Sequence, residues 1–169
     1  MKSFIITLVG KDKPGLLGAL ADTVYQFKGN WLGSNFALMA GRFAGFAEIE
    51  LPEENLTPLE KALKQRDDVD ITISSGDENP PPPMREAIIN IVGNDKTGIV
   101  HEITAVLNKH KVNIIGFKSE RASAPSSGTP LFKATANCCV TETESLDDLV
   151  DALEYLANDL MIDVDFADK

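Results

Sequence analysis

The first run of apolar residues, Phe4–Val9, is short and rich in β-formers, which predicts a buried strand. Gly10–Lys13 is a polar turn. After it the rhythm changes. Leu16, Leu17, Leu20, Val24 and Phe27 recur at helical spacing and make one apolar face, with Pro14 in the first turn, where a missing N–H costs nothing. Gly29 stands where a C-terminal cap belongs. Asn30–Ala40 then reads as a second strand, Gly41-Arg42 as a tight turn and Phe43–Leu51 as a third strand. There Ala47, Ile49 and Leu51 alternate with Glu48 and Glu50, so one face is wet. Pro52 ends it. Thr57-Pro58-Leu59-Glu60 has the form of a capping box with proline at the first helical position. The helix it opens carries Leu59 and Leu63 and ends near Arg66. Val69, Ile71 and Ile73 alternate with Asp70 and Thr72 as a fourth strand.

The remaining chain repeats that order. Ala87–Val92 predicts a strand, and Ile99, Val100, Ile103, Val106 and Leu107 predict a helix face. Val112–Lys118 is the next strand, followed by a longer loop, Ser119–Pro130, and a strand over Leu131–Val140. Ser145 with Asp148 caps a helix whose stripe is Leu146, Leu149, Val150, Leu153 and Leu156. Met161–Phe166 closes the copy, with Ile162, Val164 and Phe166 facing in and Asp163 and Asp165 facing out. The recurrence reaches residue identity. Ile5-Ile6-Thr7-Leu8-Val9-Gly10-Lys11-Asp12-Lys13-Pro14-Gly15 returns as Ile88-Ile89-Asn90-Ile91-Val92-Gly93-Asn94-Asp95-Lys96-Thr97-Gly98, 83 residues later. Ten of the thirty positions in Phe4–Gly33 match Ala87–Gly116. A period this long means two copies of one domain, not a solenoid.

The order β-α-β-β-α-β is the split βαβ, or ferredoxin-like, arrangement of an α+β protein. Right-handed crossovers place both helices on one face of a four-stranded antiparallel sheet. Domains are expected at 1–75 and 87–169, joined by a linker over 76–86. Pro80–Pro83 favours extended polyproline II there, either as a semi-rigid spacer or as a plain linker that resists proteolysis. Edge strands and the uncovered sheet faces call for a partner surface, so a homodimer is expected.

Charge narrows the function. The net charge is −10, and acidic residues outnumber basic ones in both halves. Direct nucleic-acid binding rests on clustered Lys and Arg, so the composition argues against it. Cys138 and Cys139 are adjacent and form neither a disulfide framework nor a metal pattern, which fits a reducing cytoplasm. No segment approaches the length of a membrane span, and the N-terminus reads as a strand, not a signal peptide. His101 and His110 are off-register for one helical face and have no spaced partner, so solvated or interface histidines are expected. No nucleophile elbow, phosphate loop or metal motif appears, and no cofactor is expected.

A strand, then Gly-Lys-Asp-Lys-Pro-Gly-Leu-Leu, then a helix ending before Gly-Asn resembles the signature of the ACT domain, a small regulatory module that binds amino acids. Both halves match. The second turn has Asn94 for Lys11 and Thr97 for Pro14, but keeps the aspartate, lysine and glycine. Two tandem ACT domains resemble the glycine cleavage system transcriptional repressor family. That resemblance implies a small amino acid ligand and protein contact with a DNA-binding transcriptional activator, with no DNA contact of its own.

The strand-to-helix turn suits such a ligand, because a helix N-terminus exposes N–H groups and favours a carboxylate. Gly15 and Gly98 permit close backbone approach. ACT domains that bind amino acids use polar groups at the turn and at the start of the second strand, matched here by Asp12 with Asn30 and Asp95 with Asn113. The ligand set implied is Asp12, Lys13, Gly15, Leu16 and Asn30, with Asp95, Lys96, Gly98, Ile99 and Asn113. An aspartate pairs with an ammonium group, and an asparagine amide serves either end of a zwitterion. In the plainer reading, Asp12 and Asp95 cap their helices, and Asn30 and Asn113 are turn residues that tolerate left-handed backbone. Trp31 against Ile114 implies sites of different size. Three functions follow: an amino-acid sensor acting through protein contacts, a ligand-free interaction module, and a small enzyme, for which no catalytic cluster is visible. Ser119–Pro130 is a candidate partner contact or a surface loop.

Overall fold

The computed structural model describes residues 1–76, 85–124, 128–140, 146–156 and 160–166. The chain divides into two compact units, Met1–Pro80 and Pro81–Lys169. The first comprises β1 (Lys2–Lys11), α1 (Leu16–Gln26), β2 (Asn30–Met39), β3 (Arg42–Leu51), α2 (Leu56–Lys64) and β4 (Val69–Ser75). The second comprises β5 (Arg85–Asn94), α3 (Ile99–Lys109), β6 (Asn113–Ser123), β7 (Pro130–Val140), α4 (Leu146–Leu156) and β8 (Leu160–Phe166). The sheets run β2-β3-β1-β4 and β6-β7-β5-β8, with every neighbour antiparallel. This is the ferredoxin-like order expected from the sequence.

Alternation along the central strands puts both helices on one face. In the first unit Phe4, Ile6 and Leu8 of β1 and Ala47, Ile49 and Leu51 of β3 are buried, as are Leu16, Leu20 and Val24 of α1 and Leu59 and Leu63 of α2. In the second, Ala87, Ile89 and Ile91 pack with Ala134, Ala136 and Cys138, under Ile99, Ile103 and Leu107 of α3 and Leu149 and Leu153 of α4. Phe4 sits opposite Ile49 in β3, and the matching pair is Ala87 opposite Cys138. The helix stripes are narrower than the periodicity suggested. Leu17 and Val100 lie at the exposed flank, at 40% and 39%.

The boundaries move where local chemistry outweighs pattern. Pro14 lies two residues ahead of α1, in the turn, and Gly15 is the N-cap with φ +80°. At the other end Lys28, not Gly29, takes the left-handed conformation, with φ +60°. Its N–H bonds Tyr25 O and the N–H of Gly29 bonds Val24 O, both at 2.9 Å, which is a Schellman closure. The same closure ends α3, with Lys111 left-handed at φ +54° and the N–H of Val112 bonded to Leu107 O. The β2–β3 turn is Ala40-Gly41, both at positive φ, not Gly41-Arg42. A short 3-10 turn over Glu53–Asn55 leads into α2, so Thr57 sits inside the first turn and no side chain caps it. Pro58 still costs little there, because first-turn N–H groups have no helical acceptor.

Two readings change in the second unit. Arg85 and Glu86, assigned above to the linker, belong to β5. Residues 119–123, read as loop, continue β6, and Ala124 and Thr129 close the hairpin through the N–H of Ala124 bonded to Thr129 O at 2.9 Å. The expected polyproline segment and the Ser145 cap lie outside the described residues, as do the side chains of Leu146, Leu156, Asp165 and Phe166.

Candidate functional site

Each unit carries one glycine-capped turn between its first strand and first helix. In the first, the N–H of Leu16 bonds Lys13 O at 3.3 Å and that of Ala19 bonds Gly15 O at 2.9 Å. The Leu17 and Gly18 N–H groups are left without a helical acceptor. Neither Asp12 nor Asp95 caps its helix, because no side chain bonds the N-terminus of α1 or α3. Nor does any protein atom crowd Gly15 or Gly98: a Cβ there would meet nothing within 4 Å. Positive φ, +80° and +88°, is what demands glycine at both. Leu16 and Ile99 turn their side chains into the cores, so only their backbone faces the turn.

Around the first turn the charges converge from four elements. Lys11 ends β1 opposite Arg42, which opens β3. Asp67 and Asp68 precede β4, on the other side of β1. Together with Asp12 and Lys13 they line a cavity of about 500 Å³. Asp68 is held on both sides. Arg66 Nε and an Nη donate to its two oxygens at 3.1 and 3.0 Å, and Lys13 forms an ion pair with it. The Arg66 hydrogen bonds, then that of Lys13, hold the Asp68 carboxyl well below the usual carboxylate range. The carboxylate of Asp12 is exposed and makes no ion pair or hydrogen bond among the described residues.

The second turn satisfies itself differently. Lys96 pairs with Glu102 of its own helix at 2.7 Å, and Asp95 pairs with Arg121 of β6 at 2.9 Å. The Asp95 N–H bonds Pro130 O at 3.1 Å.

Asn30 and Asn113 are elsewhere. Asn30 opens β2 opposite Glu50, whereas the turn lies at the Arg42 end of β3. The two ends are eight residue steps apart along β3 (50 − 42), roughly 26 Å. Asn113, opposite Cys139, is equally remote from Asp95. One unit therefore does not bring its aspartate and asparagine together. Both asparagines are exposed and extended, and the left-handed residues are their neighbours Lys28 and Lys111. Beside Asn30, Trp31 packs on Phe36 at 6.4 Å, and Phe36 stacks on Phe43 at 5.3 Å.

His101 is exposed and His110 forms the C-cap of α3. Cys138 is buried and Cys139 half-buried, both as free thiols, and burial pushes the Cys138 thiol up to about 11. Among the described residues no group of three metal-ligating side chains forms, and no helix is long and apolar enough to cross a membrane. Residue spacing did not reveal Arg42, Asp67, Asp68 or Arg121 as site residues. The signal available was the fold itself, since the ferredoxin-like strand order sets the starts of β3 and β4 on either side of the end of β1.

A duplicated βαββαβ unit with a glycine-capped turn in each copy defines a tandem ferredoxin-like α+β protein. The ACT domain model matches residues 2–74 and 85–118, and the chain belongs to that family. It is similar over its whole length to an unknown protein from Galdieria sulphuraria, with 25% identity, 99% of each chain covered and a TM-score of 0.82. It is also similar to a protein provisionally described as a glycine cleavage system transcriptional repressor, with 19% identity, 99% and 98% of the chains covered and a TM-score of 0.67. No curated protein sequence matches it significantly.

Proposed function

We propose that this chain is a non-enzymatic cytoplasmic regulator that senses a small amino acid of the glycine or serine class. It acts on transcription indirectly, by contact with a DNA-binding activator. The observation that carries the reading is the turn made twice, in which an exposed aspartate and a lysine stand beside a helix start with unclaimed N–H groups. The N–H groups and lysine suit a carboxylate, and the aspartate suits an ammonium. Asn30 or Asn113 joins such a site only if another ACT unit brings its edge strand to the turn. A ligand held that way favours one assembly over another, by no more than its differential affinity for the two. The net charge of −10 favours protein contact over DNA contact, and the provisional description of the similar structure as a transcriptional repressor supports a role in transcription.

One set of observations favours the ligand-free interaction module instead. Positive φ alone explains Gly15 and Gly98, and the charges of the second turn are already paired with Glu102 and Arg121. Thermal unfolding of the full chain with each amino acid at millimolar concentration separates the two readings. A ligand at a hundred times its Kd adds about 2.7 kcal/mol, a rise of several degrees. The sensor predicts such a rise for glycine or serine, reduced in Asn30→Ala or Asn113→Ala. No rise with any amino acid favours the module and sinks the sensor reading.

A further inference from the structure

We infer that the two copies are not equivalent sensors: the first unit alone is loaded, and its charged cavity holds both ends of a zwitterionic amino acid. The inference rests on the sensor reading above and says which copy binds and through which groups.

Six charged side chains line that cavity: Lys11, Asp12, Lys13, Arg42, Asp67 and Asp68. Two of them are already spoken for, because Asp68 is paired with Lys13 and with Arg66. The other four are two cations, Lys11 and Arg42, and two anions, Asp12 and Asp67. All four are exposed, and none forms an ion pair with another or with any other described residue. A cavity of about 500 Å³ with both signs of unpaired charge on its walls suits a small ligand that itself carries one charge of each sign. Lys11 and Arg42 lie on adjacent strands and face one another across the ladder, so one carboxylate can meet both. Arg42 offers the planar fork that binds carboxylates in bidentate fashion.

The second unit lacks three of these four groups at matched positions. By strand register Asn94 replaces Lys11 and Leu131 replaces Arg42. Asn158, two residues before β8, stands in sequence where Asp67 stands two residues before β4. Of those four, only Asp12 has a charged counterpart, Asp95, and it is tied to Arg121, which occupies the register position of Leu38 in the first unit. Among the described residues, the charges of the second turn are therefore paired, whereas four around the first are not.

Titration calorimetry on the full chain with glycine and with serine tests this. The expected result is one ligand per chain. The double variant K11N/R42L, which installs the second unit's residues at two exposed positions, should weaken binding at least about tenfold, as loss of a charged hydrogen bond does. D67N, a single near-isosteric change, should weaken it as well. Glycinamide, which lacks the carboxylate, should bind wild type at least about tenfold more weakly than glycine. Two ligands per chain, or full affinity in K11N/R42L or in D67N, overturns the inference while leaving the sensor reading intact. Failure of both glycine and serine to bind wild type overturns the sensor reading itself, and this inference with it.

Discussion

At the end of the sheet remote from the turns, the two units build the same core from opposite ingredients. The first unit fills it from the strands, with Phe4 beside Ile49, and leaves the helix end small, with Val24 and Gly29. The second keeps the strands small, with Ala87 beside Cys138, and enlarges the helix end to Leu107 and Val112. All of these core residues are buried, and Gly29 is half-buried. Interiors are packed to near-crystalline density, so volume removed from one layer must return in another. The lesson is that the repeat preserves the backbone while side-chain bulk moves between strand and helix positions.

Exchanging single residues between the units breaks that balance. The largest effect is expected from Phe4→Ala, which installs the second unit's residue without its compensation. A loss of about 3–5 kcal/mol is expected. It should appear in urea unfolding followed by fluorescence of Trp31, the chain's one tryptophan, which packs against the core of the first unit. Gly29→Val should cost less, about 1–3 kcal/mol. A Cβ at Gly29 would lie 2.6 Å from Val24 Cγ1 and 3.0 Å from Val24 O, so the helix end must shift to admit it. The same Trp31 signal reads it, and adding Phe4→Ala to Gly29→Val should cost less than the sum of the single changes.

The smallest effect sharpens the contrast between the turns. Because the Asp68 carboxyl is held below its ordinary value by Arg66 and Lys13, its ion pairs stabilise the first unit above the ordinary carboxylate range, about pH 4. That contribution falls away as the pH drops through the lowered value. Asp68→Asn should therefore flatten the decline of the Trp31 unfolding midpoint between pH 5 and pH 2, and lower it slightly at neutral pH.

Most of the fold was legible because its signals are periodic. The alternation of Val69, Ile71 and Ile73 and the stripe of Leu16, Leu20 and Val24 each report burial on one face. The extension of β6 was not legible, because Lys118, Glu120 and Arg121 lie on an edge strand with much of its surface in water, where polar residues carry no rhythm. Gly29 read as a cap because glycine is the usual left-handed residue there, yet Lys28 takes that conformation and Gly29 is small so that Val24 can approach. The site was half visible. Asp12 and Lys13 stand in one turn of sequence, but Arg42 and Asp67 reach it only through strand pairings that no local window contains. The same pairings carry Asn30 away to the opposite end.

The uneven split of volume also bears on how the chain assembles. Tandem copies of one sequence risk trading strands as they fold, since β1 and β5 share the pattern that each sheet recognises. Were β5 to add to β3, Ala87 would leave a void beside Ile49. Were β1 to add to β7, Phe4 would press on a core already filled by Leu107 and Val112. Each central strand is thus a key cut for its own sheet, and the residues in which the repeats differ most are the ones that keep them from being mistaken for each other.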